Sequence, residues 1–279
     1  MQRPDIARRA TPLGHLLKHW RATRGMSQLA LSLQAEVSPR HVSFVESGRS
    51  QPSRDMVLRL AAALHVPLRE QNALLSAAGF APVHRESALA DEPLAAARQA
   101  LDLILAHQEP FPAVVMDRYW HLVRGNDAAQ SLFGELLGDA GEAAKVDEPP
   151  NVLRLVLHPE RLRPAIANWQ ELAPALIDRV HRESPGGVVD DAMSALLDEL
   201  TAYPGVADAM RHARGAAVPW PVVPVHFRSG TVDLRFFSAV TTLGSPGDVT
   251  LQELRVECFF PADAATATAM QTRRDASLA

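Results

Sequence analysis

Apolar residues between positions 13 and 78 recur three or four residues apart, which is the spacing of short helices that bury one face. The first helix is marked by four such residues, Leu13, Leu16, Leu17 and Trp20. Gly25 is expected to end it. Ser27 is a suitable N-cap for a second helix over residues 28–34. Three residues of that helix are expected to face the core: Leu29, Ala30 and Leu33.

Capping residues place three more helices. Ser38 precedes a third helix over residues 39–46, which opens on proline, the favoured first helical residue. Gly48 follows it and can adopt the left-handed conformation that ends a helix. Ser53 is the expected cap of a fourth helix over residues 54–64, and a fifth helix is predicted over residues 67–78. The pattern therefore predicts five short helices in about 65 residues.

The pattern changes after residue 80. Residues 81–108 are predicted to form a linker and a connecting helix with one apolar face. Two strands with a turn near Asp117 follow, and Asn126 is the expected cap of the next helix. Further helical patterns cover residues 151–157, 159–183, 190–202 and 206–214, and Pro164 and Pro174 are expected to break or kink the second of them. Two strands around the Ser229-Gly230 turn and a last strand over residues 249–260 complete the order.

This order predicts an α-helical domain followed by an α+β domain, in which an antiparallel sheet curls over several helices as in a PAS-like fold. The predicted segments are an N-terminal arm (1–12), a five-helix domain (13–80), a linker and connecting helix (81–108), a PAS-like domain (109–262) and a disordered tail (263–279).

Strand alternation suggests which side chains face the interior of the second domain. One face of the fourth strand would carry Leu234, Phe236 and Ser238, and one face of the fifth would carry Leu254, Val256 and Cys258. With Trp120, Phe133 and Trp169, these residues are enough to line a cavity and equally enough to fill one.

The composition is that of a globular protein, with 47% hydrophobic and 22% charged residues in a chain of 279. Cys258 is the only cysteine, so neither a disulfide framework nor a cysteine-based zinc site is expected. No stretch approaches about 18 consecutive apolar residues, and the first residues lack the apolar core of a signal peptide. We expect no membrane association and a reducing, cytoplasmic location.

Charge is distributed unevenly. Residues 1–90 contain 12 Lys and Arg against 6 Asp and Glu, whereas the remainder contains 16 against 26, so the overall net charge of −4 hides a basic front and an acidic rear. A small DNA-binding domain attached to a larger domain without that role would give this pattern. Chance variation in surface charge explains it equally well.

Residues 28–46 have the layout of a helix-turn-helix, in which the second helix presents its first half to the major groove. Arg40 could bind guanine, Phe44 could touch a thymine methyl group, and Ser27 could help to hold a phosphate at a helix N-terminus. The predicted DNA-binding residues are Ser27, Gln28, Ser38, Arg40, His41, Ser43, Phe44, Arg49 and Arg54. Solvent exposure without DNA contact is as plausible for Arg49 and Arg54, and packing against the fourth helix is as plausible for Phe44.

The stretch RATRGMSQLALSLQAEVSPRHVSFVESGRSQPSRDMVLRLAAAL resembles the lambda-repressor-like (XRE) DNA-binding domain. The resemblance implies a structural ion pair between Arg21 and Glu46, which would turn this acid away from DNA. The sequence departs from the family pattern at position 36, where this chain has Glu36 and the family usually has glycine.

The stretches FPAVVMDRYWHLVRGNDAAQSLF, NVLRLVLHPERLRPAIANWQELA and DVTLQELRVECFFPAD resemble the ligand-binding domain of MmyB-like transcription regulators. This resemblance implies a PAS-like fold and a small hydrophobic ligand such as a fatty acid. Candidate ligand-binding residues are Trp120, Asn126, Phe133, Arg154, His158, Trp169, Leu234, Phe236, Leu254 and Cys258. Arg154 is the candidate partner of a ligand carboxylate, while Asn126 and His158 could equally be helix caps.

No catalytic set, metal-ligand spacing or required cofactor is evident, so an enzyme is not expected. The leading hypothesis is a ligand-responsive, homodimeric, bacterial-type transcription regulator that binds double-stranded DNA at a palindromic operator. The alternative is a regulator whose second domain binds no ligand and serves only dimerisation or a protein partner. An enzyme with a DNA-binding domain attached is the third class considered, and it lacks a candidate nucleophile or base.

Overall fold

The computed structural model describes residues 11–138, 149–183, 190–213, 224–244 and 246–278. The described residues form two compact units. The first contains residues 11–87 together with 246–252, and the second contains the others. Residues 1–10 of the predicted N-terminal arm, residue 214 and residues 221–223 at the start of the predicted third strand lie outside the described residues.

Five helices form most of the first unit: α1 (Pro12–Thr23), α2 (Gln28–Gln34), α3 (Pro39–Glu46), α4 (Arg54–Ala63) and α5 (Leu68–Ala77). The predicted serine caps are present, because the side chains of Ser27, Ser38 and Ser53 each accept a hydrogen bond from the backbone N–H three residues on. Gly25 and Gly48 have φ angles of +62° and +69°, as expected of residues that end helices.

The inward face of α2 was predicted wrongly. Leu29 and Leu33 are 57% and 73% exposed, while Leu31 and Ala35 are buried. Leu29 and Leu33 are four residues apart, and so are Leu31 and Ala35. In a helix of only seven residues, this spacing does not tell which of the two pairs faces the core. Packing of Leu31 against the other helices therefore decides which face is buried.

Helices α1 and α3 approach each other closely. A Cβ atom at Gly14 of α1 would collide with the backbone carbonyl oxygen of Glu46 in α3. The absence of a side chain at this buried position lets the two helices pack backbone against backbone. This contact fixes the start of α1 next to the end of α3.

Residues 246–252, which lie between two strands of the second unit in sequence, pack with the first unit. The Asp248 carboxylate accepts hydrogen bonds from the backbone N–H groups of Ser87 and Thr250. The backbone N–H of Leu68 donates to the side-chain carbonyl of Gln252 over 2.6 Å. The prediction of one strand over residues 249–260 is wrong in its first half, because Asp248 caps a short helix, α12, at Val249–Glu253.

The second unit contains five strands, β1 (Ala113–Met116), β2 (Leu122–Gly125), β3 (Pro224–Ser229), β4 (Val232–Thr241) and β5 (Arg255–Pro261). They form an antiparallel sheet in the order β2-β1-β5-β4-β3. Its helices are α6 (Ala95–Gln108), α7 (Asp127–Leu137), α8 (Val152–Leu157), α9 (Trp169–Glu183), α10 (Asp191–Ala202), α11 (Val206–Ala213) and α13 (Ala264–Leu278). Short 3-10 turns cover Glu92–Leu94 and Arg163–Ala165. The predicted α+β, PAS-like arrangement is confirmed.

The predicted break in the long helical pattern at residues 159–183 is also present. Pro164 lies in the Arg163–Ala165 turn, and α9 begins only at Trp169. Pro174 is accommodated inside α9. One face of the sheet joins these helices in the apolar core, where Phe227, Leu234 and Phe236 are buried.

The prediction of a disordered tail is wrong. Residues 264–278 form α13, whose first turn is capped by Asp263, and Met270 of this helix is 2% exposed in the core. Thr266 is buried and its side chain accepts a hydrogen bond from the backbone N–H of Arg235 in β4. The Ala-rich sequence has high helix propensity, and one buried methionine anchors it.

Candidate DNA-reading helix and ligand cavity

The first half of α3 is accessible to solvent. Pro39 and Arg40 are exposed, and Ser43 and Phe44 are half-buried. The guanidinium groups of Arg40 and Arg49 lie 5.0 and 5.8 Å from the centre of the Phe44 ring. Phe44 is not one of the residues that form the apolar core of the unit, and its contact with DNA stays a prediction. The two exposed guanidinium groups and the half-buried ring of Phe44 therefore lie close together at this surface.

Glu46, at the end of α3, points inward as the resemblance implied. Its carboxylate accepts hydrogen bonds from Arg21 Nε at 2.6 Å and Arg21 Nη2 at 3.0 Å. Gln28 Nε2 donates to the same group at 2.7 Å. The hydrogen bond to Glu46 is the main cause that raises the pKa of Arg21. The bidentate pair ties α3 to α1, and the amide of Gln28 adds α2 to the same network.

The other predicted DNA contacts divide into three kinds. Ser27 and Ser38 use their side-chain oxygens as helix caps and are exposed at helix N-termini, where a phosphate is favoured. Arg49 and Arg54 are exposed. The Nε2 atom of His41 is buried and has no hydrogen-bond partner among the described residues, so in this conformation that atom does not reach DNA.

Glu36 occupies the turn between α2 and α3 with a φ angle of +54°. This is the left-handed region, where a residue with a side chain is strained and glycine is not. The structure thus explains why the helix-turn-helix pattern carries glycine at this turn, and it shows that glutamate adopts the same conformation here.

The second unit contains a cavity of about 500 Å³ that is partly open to solvent, a size that suits a small-molecule ligand. Helices α7, α8 and α9 form one wall and the sheet forms the other. The apolar lining residues are Val114, Trp120, Leu122, Phe133, Leu137, Pro150, Val152, Leu155, Val156, Leu162, Ile166, Leu172, Leu176, Val225, Phe227, Val240 and Phe259. Phe133 makes edge-on contacts with Phe227 and Phe259, with ring centres 5.8 and 5.9 Å apart.

The polar lining residues are Arg179, Arg182, Glu183, Ser238 and Glu257. Arg179 Nε donates to Glu183 at 2.7 Å, and its Nη1 donates to Glu257 at 3.2 Å. Its guanidinium group lies 4.6 Å from the Trp120 ring centre. Burial acts to lower the pKa of Arg179, but the charge of Glu257 and the contacts with Glu183 outweigh it, so the pKa is raised.

A second arginine completes this polar cluster. Arg255 Nε lies 3.3 Å from Glu183 Oε2, and burial lowers the pKa of Arg255. Besides His41 Nε2, three buried polar atoms have no hydrogen-bond partner among the described residues: Arg179 Nη2, Arg255 Nη1 and Glu183 Oε2, the last of which is ion-paired with Arg255. Buried polar atoms are normally paired, so this cluster is an unusual part of the unit. Of its residues, Arg179, Glu183 and Glu257 line the cavity.

Only part of the predicted ligand set lines the cavity. Trp120 and Phe133 do. Leu234 and Phe236 are on the predicted face of β4 but fill the core beside the cavity, whereas Ser238 and Val240 of the same face line it. Trp169 is also a core residue, and its indole N–H donates to the Val156 carbonyl at 3.1 Å.

Asn126, Arg154 and His158 lie outside the cavity lining. Asn126 is buried, caps α7 through Ala129, and donates to the Phe111 carbonyl at 2.8 Å. Arg154 pairs with Glu199 at 2.7 Å. His158 accepts a hydrogen bond at Nδ1 from the backbone N–H of Glu160. The capping alternative therefore describes Asn126, whereas His158 lies at the end of α8 and its imidazole accepts from the turn that follows, not from a helix start. The arginines that line the cavity are Arg179 and Arg182.

The assignment of the fifth strand to the cavity was wrong by one residue. Glu257 is opposite Val114 in β1 and Val240 in β4, and all three line the cavity. Val256 and Cys258 therefore lie on the other face, and Leu254 is buried just before the strand. Burial and the charge of Glu257 raise the pKa of the Cys258 thiol.

Two sequence signals could have revealed the missed residues. Glu257 is a lone acid inside the apolar run VECFF, and Arg179 and Glu183 are four residues apart on one side of the amphipathic helix α9, next to its apolar face. A charged residue within an apolar element is seldom buried unless it has a partner or a function.

Among the described residues, no group of three His, Cys, Asp or Glu side chains is arranged to hold a metal ion. None of the helices in the described ranges is long and apolar enough to span a membrane.

A helix-turn-helix unit, followed by a sheet-and-helix unit with an apolar cavity, defines the class of DNA-binding regulators that carry a ligand-binding domain. Comparison with family models supports this class. Residues 12–75 match a helix-turn-helix domain, and residues 97–272 match the MmyB-like transcription regulator ligand binding domain. The second match covers more than half of the chain, so the chain belongs to the MmyB-like transcription regulators.

No curated protein matches the chain. A solved structure described as an RNA-binding Light-Oxygen-Voltage receptor is similar to it at 13% sequence identity, covering 100% of this chain and 70% of that one, with a TM-score of 0.25. Likeness at this level supports no statement about function.

Proposed function

We propose that this protein is a transcription regulator that binds a specific DNA sequence through α3 and senses a small hydrophobic ligand in the cavity of its second unit. The observation that carries the proposal is the cavity of about 500 Å³ with an apolar lining and a polar end at Arg179. A domain used only for dimerisation would have no need of such a space, since apolar interiors are normally filled.

The ligand in this proposal has a hydrocarbon chain that lies among Phe133, Leu176 and Phe259 and a polar head near Arg179. A fatty acid is the ligand class that the family resemblance implies. One α3 offers few base contacts, so we propose a homodimer that binds a palindromic operator, and a cytoplasmic site of action.

Ligand binding is tested with the full-length chain by native mass spectrometry and by displacement of a hydrophobic dye. Val240 and Val123 are a matched pair of half-exposed valines, 39% and 37% exposed, of which only Val240 lines the cavity. We expect Val240→Trp to weaken dye binding at least about tenfold and Val123→Trp to leave it unchanged. Equal behaviour of the two variants, or no bound amphiphile in the wild type, would favour the ligand-free alternative.

DNA binding is tested on sequences that the full-length chain selects from random DNA. Arg40→Ala is expected to lower affinity for the selected site by about 1–3 kcal/mol, the usual value of a bidentate guanine contact. Arg69→Ala, which removes an arginine paired with Glu86, is the control and should have no effect. Unchanged affinity in Arg40→Ala would show that this residue does not read the operator.

A further inference from the structure

We infer that an acyl ligand enters the cavity tail first and leaves its carboxylate at the mouth, where Arg182 binds the negative charge. The inference rests on the proposed function, because it concerns how the same cavity holds its ligand. Two observations carry it: the change in exposure along two walls of the cavity, and the distribution of ion pairs among the charged residues that line it.

Strand β4 shows where the cavity opens. Val240 lines the cavity and is 39% exposed, Ser238 lines it and is half-buried, and Phe236 is fully buried in the core beside it. These side chains lie on one face of the strand, about 7 Å from one to the next. Exposure therefore falls along β4 from a mouth at Val240 towards the interior.

Helix α9, on the opposite wall, shows the same gradient. Arg182 is exposed and Arg179 is half-buried, whereas Leu176 and Leu172 are buried. All four line the cavity, and successive members are three or four residues apart, so they follow one side of the helix. The charged residues of this wall stand at the exposed end and its apolar residues stand at the buried end.

This gradient determines the direction of an amphiphilic ligand. A hydrocarbon chain gains free energy where it leaves water, whereas a carboxylate loses free energy unless it is paired or stays hydrated. Tail-first binding places the chain against Leu172 and Leu176 and leaves the carboxylate at the solvated end. Pro150 also lines the cavity and is exposed, but its side chain has neither a charge nor a hydrogen-bond donor for a head group.

Arg182 is the lining cation that is available to an anion. Four charged side chains of the described residues line the cavity, and Arg179 binds both acids among them, Glu183 at 2.7 Å and Glu257 at 3.2 Å. The side chain of Arg182 makes no ion pair with any residue in the described ranges. An exposed guanidinium group can turn to meet a carboxylate with two parallel hydrogen bonds.

Ser238 contributes polarity at this end but does not select for charge. Its hydroxyl lies on the cavity face of β4, two residues from Val240 at the mouth. A hydroxyl group can donate a hydrogen bond to a carboxylate, an ester or an alcohol alike. Ser238 therefore favours a polar head at the mouth, and the preference for a negatively charged head depends on Arg182.

The orientation is tested with the wild-type, full-length protein by displacement of a hydrophobic dye with dodecanoate, dodecanoylglycine and dodecanedioate. Dodecanoylglycine extends only the head, and we expect its affinity to lie within about threefold of that of dodecanoate because the same chain is buried. Dodecanedioate carries a second carboxylate at the tail, and we expect it to bind at least about tenfold more weakly because an unpaired charge is costly to bury. Dodecanedioate that binds as tightly as dodecanoate, or dodecanoylglycine that binds tenfold more weakly, would overturn the tail-first orientation.

The role of Arg182 is tested with Arg182→Met, which removes the charge and keeps an unbranched side chain. Dodecanoate should bind this variant about fivefold more weakly, as expected for the loss of a solvent-accessible ion pair, and uncharged methyl dodecanoate should change less than about twofold. Arg274→Met is the matched control, because Arg274 is an exposed arginine of α13 in the same unit that does not line the cavity. In Arg182→Glu, dodecyltrimethylammonium should bind more tightly than it does to the wild type, since the charge at the mouth is reversed.

These outcomes separate the inference from the proposed function. If Arg182→Met weakens dodecanoate and methyl dodecanoate equally, or affects dodecanoate no more than Arg274→Met does, Arg182 does not bind the head group while ligand sensing stands. The three ligands compared on the wild type need no variant, so misfolding of an Arg182 variant would not remove the test. If no ligand displaces the dye from any of these proteins, the proposed function itself fails.

Discussion

Replacing Glu46 with alanine removes the acceptor that holds three helices of the first unit together. In the native protein its carboxylate receives hydrogen bonds from Arg21 Nε, Arg21 Nη2 and Gln28 Nε2, at 2.6, 3.0 and 2.7 Å. The two charged side chains are 15% and 6% exposed, for Arg21 and Glu46. The substitution leaves the Arg21 guanidinium buried without its counter-ion.

The size of the effect follows from this burial. Removing one partner of a buried ion pair costs about 3–5 kcal/mol, whereas exposed pairs contribute about 0–1 kcal/mol. Arg21 keeps its hydrogen bond from Nη1 to the Met26 carbonyl at 2.9 Å, and it is not fully shielded from water. We therefore expect Glu46→Ala to lower the free energy of unfolding of the first unit by about 3 kcal/mol.

The measurement is urea denaturation of the full-length protein, with hydrogen exchange of α1 and α3 peptides to assign the loss to this unit. Glu86→Ala is the control, because Glu86 pairs with Arg69 in the same unit while 56% exposed. It should change the unfolding free energy by less than about 1 kcal/mol. A loss in Glu46→Ala no larger than in the control would refute a structural role for the pair. The double variant Arg21→Met with Glu46→Leu should recover part of the loss, since it leaves no unpaired charge.

Further predictions concern other parts of the chain. Met270→Ala should lower the unfolding free energy by about 2–4 kcal/mol, because Met270 is buried in the core, and a loss below about 1 kcal/mol in calorimetry or urea denaturation would contradict the anchoring of α13. Asn126→Ala should cost about 2 kcal/mol, by removing a helix cap and leaving buried backbone groups unpaired, without changing dye affinity of the folded protein. Glu36→Gly should stabilise the first unit by up to about 1 kcal/mol, since it relieves a strained turn, and a measured loss would contradict this. The hydrogen bond from Arg154 lowers the pKa of Glu199. Glu199 therefore stabilises the fold above its ordinary pKa of 4.5, and this contribution is lost as the pH falls through the lowered value. In Glu199→Gln, the free energy of unfolding, measured by urea denaturation at several pH values, should fall less steeply at acid pH.

The helices of the first unit could be predicted because their signals are local. Ser27, Ser38 and Ser53 each sit one residue before a helix and accept the hydrogen bond that the helix N-terminus requires. Gly25 and Gly48 likewise stand where the chain needs a positive φ. Such interactions span only a few residues, so the sequence contains both partners within one short stretch.

The wrong predictions involve choices that local sequence does not make. In β5, Val256, Glu257 and Cys258 are all buried, because both faces of this central strand are covered. Alternation of polar and apolar residues therefore does not tell which face meets the cavity, and a shift of one residue exchanges the faces. The neighbours Val114 and Val240, which pair with Glu257, make the choice.

The polar end of the cavity shows the same limit and also what the fold adds. Arg179 and Glu257 are 78 residues apart in sequence and 3.2 Å apart in space. Arg179 already has a counter-ion in Glu183, four residues along the same helix, so the sequence gives no reason to expect a second counter-ion. Only the sheet brings Glu257 to the same guanidinium group. The fold therefore builds the polar end of the cavity from charged groups that the sequence keeps far apart.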